Sequence, residues 1–200
     1  MKQPVNFICT PECEASLAES DLSVRAKLLT VGERQANAIG NTLLGSYRGE
    51  VNLFTSPSSG ALVATKAIAV AAKIPGHSIS SLLDKNSTRG DFEVDGKVEV
   101  LGLDEVGLPA YTRLDMERML NFYNMVVKDP FNRPTYAVTE KDSIWALLGA
   151  LKIKNHVSEI KPGTITSITS ITDIAGVGVV ATTIQAEFPD AQDAPETLAA

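Results

Sequence analysis

The first stretch equipped for chemistry is "VNFICTPECE", residues 5–14, where an apolar run stops at Pro11 with Cys9, Thr10, Glu12 and Cys13 around its tip. A cysteine attacks as the thiolate, which forms near neutral pH only beside a cation, a histidine or a helix N-terminus. This stretch supplies no histidine or basic residue. A threonine hydroxyl needs an adjacent base to become a nucleophile, and none is evident in sequence next to Thr10. Two other stretches end an apolar run in small polar residues in the same way: Thr55-Ser56-Pro57-Ser58-Ser59-Gly60 and Thr139-Glu140-Lys141-Asp142. Glu12, Asp84 and Glu140 could together form a carboxylate pocket for a cation or an amine, because hard cations take such oxygens. The same three residues also suit a solvated surface. No Cys/His set has metal-ligand spacing, so neither a metal nor another cofactor is expected.

These stretches acquire meaning from the elements that carry them. Residues 5–9 predict a short buried strand, and 11–28 read as polar and irregular. Thr30 with Glu33 three residues on has the form of a capping box, which opens a helix whose Ala36, Ile39, Leu43 and Tyr47 share one face. "EVNLFTSP" predicts a second strand, and "SGALVATKAIAVAAKI" an alanine-rich helix, apolar nearly all round and so well buried, ended by Pro75-Gly76. "SISSLL" reads as a third, weaker strand. Met116, Met119, Leu120, Tyr123, Val126 and Val127 follow a helical period, "TYAVT" is a strand, and "DSIWALLGALKI" a helix capped by Asp142 or Ser143. "GTITSITSIT" and "GVGVVATTIQ" alternate like a closing β-pair. Strands that alternate with helices imply an α/β sandwich with a largely parallel sheet. In such sheets, sites form beyond the carboxyl ends of the strands, which is where all three polar stretches fall.

In their order and spacing these elements resemble the histidine phosphatase superfamily, the phosphoglycerate mutase-like proteins, from Asn6 to near Thr172. The framework is carried by Leu29-Thr30, Gly32, Arg34-Gln35-Ala36, Thr55-Ser56-Pro57 and the late unit "AVTEKDSIWALLGAL". The resemblance implies a three-layer α/β/α sandwich with a mostly parallel sheet. It also implies a phosphoryl-transfer site at the strand ends, and there this chain departs from the pattern. Where the family has an Arg-His-Gly tip, with the histidine as nucleophile, this chain has Cys9, Thr10 and Pro11. The second family arginine falls near Gly60 and the second histidine at Glu140; Asp84 lies near the expected leaving-group acid. The only histidines, His77 and His156, match no motif. The resemblance with these substitutions implies a degenerate, catalytically inactive protein that binds a ligand or partner through a vestigial pocket of Thr10, Glu12, Ser56, Ser59, Asp84, Glu140 and Lys141. Two alternatives stand beside it: a hydrolase working from a rearranged site (Cys9 or Cys13, Thr10, Glu12, Glu140), and a structural or oligomeric interaction protein.

Composition bounds the partners. The 200 residues are 44% hydrophobic and 21% charged, which suits one domain with a sizeable core. A net charge of −6 and a pI near 5.0 argue against general nucleic-acid or anionic-membrane binding. No apolar run is long enough to span a membrane, no signal peptide is evident, and two cysteines make no disulfide framework, so a cytoplasmic protein is expected. The expected partner is a small ligand or a protein, with a homo-oligomer possible. The domain is expected to span 1–186, with 84–111 as an inserted loop or lid around a hairpin at Asp95-Gly96, and 187–200 as an acidic, loose tail. Arg89-Gly90-Asp91, the sequon at Asn86 and "GVGVVA" at 176–181 read as chance matches, and Trp145 as a core residue.

Overall fold

A computed structural model describes residues 3–17, 24–46, 50–84, 113–153, 160–173 and 176–184. The proposed lid beyond Asp84, its hairpin, the tail, His156, Tyr47, the Arg-Gly-Asp triplet and the sequon lie outside the described residues. The strands are β1 (Val5–Cys9), β2 (Cys13–Leu17), β3 (Val24–Leu28), β4 (Asn52–Thr55), β5 (Ser78–Ile79), β6 (Thr135–Thr139), β7 (Ile165–Asp173) and β8 (Gly176–Ile184). The helices are α1 (Thr30–Ser46), α2 (Ser59–Ala72), α3 (Arg113–Val127) and α4 (Lys141–Ala150), with a 3₁₀ turn at Ser81–Leu83. One six-stranded sheet runs β5-β4-β6-β1-β7-β8, and β2 and β3 form a separate antiparallel pair. β5, β4, β6 and β1 are mutually parallel, while β7 runs antiparallel to both β1 and β8. This is the expected α/β architecture, including the closing β-pair.

Alternation along the central strands builds the two flanking layers. From β1, Val5, Phe7 and Cys9 enter the core beneath α3 and α4, while Ile8 enters the core beneath α1 and α2. β6 divides likewise, Ala137 to one side and Tyr136 and Val138 to the other. Both faces are covered, so these strands read as continuous apolar runs. Phe122 of α3 is fully buried and meets Phe7 and Phe54 edge-on, at centroid separations of 6.0 and 5.3 Å. Each such side chain contributes about 1.5–3 kcal/mol by leaving water. Gly40 allows α1 to approach α2 closely: a Cβ there would stand 2.4 Å from the Ala71 Cβ.

Several expectations need correction. The polar stretch 11–28 contains the β2–β3 hairpin, and Leu28 packs into the α1/α2 core. α1 starts one residue early: the Glu33 N–H already donates to the Leu29 carbonyl at 2.8 Å, which puts Leu29 in the cap position and Thr30 in the first turn. α2 is buried along one face only, and Val70 on its other face is 80% exposed. "SISSLL" gives just two strand residues before the 3₁₀ turn. Glu140 takes the N-cap position of α4, ahead of Asp142 and Ser143, and its side chain makes no capping bond. Trp145 is half-buried against the α3/α4 core, in line with the reading from sequence.

Candidate functional site

The three polar stretches converge where β1, β4 and β6 end. β1 and β6 finish in register, Cys9 beside Thr139, so Thr10 and Glu140 leave the sheet side by side. The Thr10 N–H donates to the Thr139 carbonyl at 2.9 Å, which extends the ladder by one residue and buries the threonine. Its hydroxyl proton is shared between the Thr139 carbonyl at 3.0 Å and Glu140 Oε1 at 3.3 Å. From β4, the Ser58 hydroxyl donates to the same Glu140 Oε1 at 2.8 Å. Glu140 therefore draws together the tips of three elements: the Ser58 hydroxyl is committed to its carboxylate, and the Thr10 hydroxyl is divided between that carboxylate and the nearer Thr139 carbonyl.

Ser58 also builds the start of α2. It is the N-cap, and its hydroxyl oxygen accepts the Ala61 N–H at 3.3 Å; its own N–H donates to the buried Ser56 hydroxyl at 3.2 Å. Sequence reasoning placed Ser56 and Ser59 in the pocket and missed Ser58. The available signal was its place directly before the alanine-rich helix, the position a capping serine takes. Ser59 is the first helical residue and is half-buried. Gly60 follows, and a Cβ at that position would stand 2.8 Å from Cys13 Sγ and 3.5 Å from Thr10 Cγ2. Gly60 thus packs beside Thr10, with Cys13 Sγ in the space a side chain at this position would enter.

Glu12 is held by its backbone. Its N–H donates to Gln35 Oε1 at 3.0 Å, and its carbonyl accepts the Leu29 N–H at 3.0 Å. Gln35 spans to the next turn by donating to the Pro162 carbonyl at 3.1 Å. Gly32 lies directly under the Glu12 carbonyl, where a Cβ would approach to 1.9 Å. Asp84 closes the 3₁₀ turn on the flank of β6: the neighbouring Leu83 carbonyl accepts the Thr139 hydroxyl at 2.7 Å. The Asp84 carbonyl accepts from the Arg118 guanidinium, which also pairs with Asp115 at 2.7 Å. Lys141 opens α4 and is half-buried.

The thiols are poorly suited to attack. Cys9 points into the α3/α4 core, the opposite of what a nucleophile at a strand tip requires, because its place in the β1 alternation matches that of Phe7. Burial, reinforced by the Glu140 charge and partly offset by Lys141, pushes the Cys9 thiol up to about 12. Cys13 is exposed, and partial burial of its thiol with the Glu140 charge raises it as well. His77 lies just before the edge strand β5, with β4 and β6 between it and β1. Among the described residues, no group of three or more His, Cys, Asp or Glu side chains could hold a metal ion. Also among them, no helix is long and apolar enough to cross a membrane.

No protein-family profile and no curated protein matches the sequence. Solved structures do match the fold. The mycobacterial glucosyl-3-phosphoglycerate phosphatase aligns over 92% of this chain and 99% of its own, with a TM-score of 0.62 and 12% identity. Phosphoserine phosphatase from Entamoeba histolytica, solved as a mutant with phosphoserine, aligns over 89% and 95%, with a TM-score of 0.59 and 15% identity. Bacillus stearothermophilus YhfR aligns over the same shares, with a TM-score of 0.59 and 14% identity. Together the topology and these alignments give the chain the phosphoglycerate mutase-like α/β fold, a fold it shares with solved phosphatases.

Proposed function

We propose that this chain is a pseudophosphatase: it keeps a phosphatase fold, has lost phosphoryl transfer, and binds a ligand or partner at the strand-end cleft. The observation that carries the reading is the Glu140 carboxylate, which accepts the Thr10 and Ser58 hydroxyls at 3.3 and 2.8 Å. Catalysis of phosphoryl transfer is mostly positioning and charge stabilisation of the equatorial oxygens by cations and N–H donors. In this cleft the two hydroxyls that could donate to such oxygens already have acceptors, Glu140 for Ser58 and the Thr139 carbonyl with Glu140 for Thr10. Pro11 supplies no N–H at the β1 tip. Thr10 fits the reading too: its proton is shared between a carbonyl and a carboxylate, and a phosphothreonine ester is far more stable than a phosphohistidine.

A cleft of this kind suits a neutral or cationic group that can replace the hydroxyls as donor to Glu140. The test is hydrolysis of para-nitrophenyl phosphate, phosphoserine and sugar phosphates between about pH 4 and about pH 9, where a general acid or base at this site would titrate. No turnover above a Thr10→Ala control is expected. Turnover that disappears in Thr10→Ala, or in Cys13→Ala, refutes the reading and restores a rearranged hydrolase.

A further inference from the structure

We propose that the outer edge of β8 is a self-association surface on which a second copy of this chain adds its own β8, antiparallel across a two-fold axis. The register of the last two strands carries the inference. β7 pairs with β1 only from Ile165 to Ile168, whereas it pairs with β8 from Ile165 to Asp173. The β1 ladder stops for a local reason: odd-numbered residues of β1 face β7, as Cys9 does, and the next of them, Gln3, turns its N–H away to Asn132 Oδ1 at 3.0 Å. Thr169–Asp173 and Gly176–Val180 therefore continue as a two-stranded arm past the sheet, and among the described residues no strand pairs with either edge of that arm. An isolated two-stranded ribbon is marginal in water.

Among the described residues the remainder of β8 is also an edge, at the end of the strand order. Protein edges are ordinarily blunted by Lys, Pro, inward charges or short length. β8 has none of these: Gly176–Ile184 is nine residues, without a charge or a proline. The occupant follows from the sequence of the edge. An antiparallel pair of identical strands overlaps over its full length in one register, with Val180 opposite Val180. That register sets Val179 opposite Ala181, Val177 opposite Thr183, Gly178 opposite Thr182 and Gly176 opposite Ile184. It opposes no charges, and it sets β-branched residues against each other at Val180/Val180 and Val177/Thr183, the kind of pair that stabilises cross-strand neighbours. A two-fold pair is also the commonest closed assembly. The arm lies beyond the amino end of β1, so the pairing leaves the Glu140 cleft open; the inference stands independently of the proposed function.

The test is the mass of the full chain by light scattering, with the paired register probed by cross-linking. A mass approaching twice 21.3 kDa is expected as concentration rises toward roughly 100 μM. In a Cys13→Ser background, Val180→Cys should oxidise to a covalent dimer, because opposite residues stand about 4.5–5.5 Å apart between Cα atoms, within disulfide reach. Val177→Cys in the same background should not, since two copies of that position lie roughly 20 Å apart along the paired strands. Val180→Lys and Val180→Glu should each be monomeric, and a mixture of the two should dimerise. A chain that stays monomeric, a dimer that persists in Val180→Lys, or cross-linking by Val177→Cys rather than Val180→Cys overturns the proposal. So does a monomeric full chain whose 1–186 truncation dimerises, because the tail then occupies the edge. If the lysine variant does not fold, the two cysteine variants decide.

Discussion

Replacing Glu140 with glutamine keeps the side chain's shape and its accepting oxygen but removes the charge. A phosphate oxygen that accepts from the Ser58 or Thr10 hydroxyl lies about 2.7 Å from that hydroxyl. Those hydroxyls stand 2.8 and 3.3 Å from Glu140 Oε1. A roughly tetrahedral angle at the hydroxyl then puts the anion about 4.5 Å from the carboxylate oxygen. Two unit charges at that separation repel by about 4 kcal/mol at an effective dielectric near 20, and by about 2 kcal/mol at twice that value, where Glu140's partial exposure places the lower bound. The Kd for phosphate or orthovanadate should therefore fall by roughly 30- to 1,000-fold in Glu140→Gln. Isothermal titration calorimetry on both proteins near neutral pH reads this directly, and the gap should narrow in high salt. The reasoning fails if the wild-type chain already binds phosphate with a Kd below about 0.1 mM, or if the variant gains less than about threefold.

Three further outcomes follow from the same geometry. Because burial raises the Cys9 thiol from 9.0 to about 12, the folded chain holds its proton where the unfolded chain releases it. That stability is intact below pH 9 and declines by up to about 1.4 kcal/mol per pH unit as pH rises toward about 12, so urea midpoints should fall across this window in wild type and fall less in Cys9→Ala. Gly32→Ala drives a Cβ into the Glu12 carbonyl and should destabilise by about 1–3 kcal/mol or more; a variant within about 0.5 kcal/mol of wild type by chemical denaturation contradicts that contact. Ser58→Ala removes the α2 cap and one of the Glu140 donors, and should lower stability by about 1 kcal/mol or slightly more. An unchanged melting curve for Ser58→Ala would show that neither bond contributes.

The Cys9 and Glu12 contacts explain how much of the chain could be read in advance. By itself the sequence determined the parallel core and the helices that flank it. Their signals are local: apolar runs of strand length, a 3.6-residue period, and Pro57 or Pro75-Gly76 at the boundaries. It also determined that Cys9, Thr10 and Glu140 stand at strand ends, because the order of elements fixes which residues leave the sheet. The β2–β3 hairpin was hidden, since a short half-polar pair has little periodicity and gains its place by packing Leu28 under α1 and α2. The cap of α4 was misplaced by two or three residues: the Glu140 carbonyl already accepts the Ser143 and Ile144 N–H groups, while its side chain makes no capping bond and turns to distant hydroxyls instead.

Tertiary structure alone decided what the tips do to one another. The bonds that define the cleft join residues 130 and 82 positions apart, Thr10 to Glu140 and Ser58 to Glu140. No pattern in either local stretch encodes which oxygen a hydroxyl will meet across such a distance. The β1–β6 register sets Thr10 beside Glu140, and the same alternation turns Cys9 inward, so that burial leaves its thiol inert. Residue identity was written in the chain, but direction and partnership depend on strand register, which arises only when the sheet assembles.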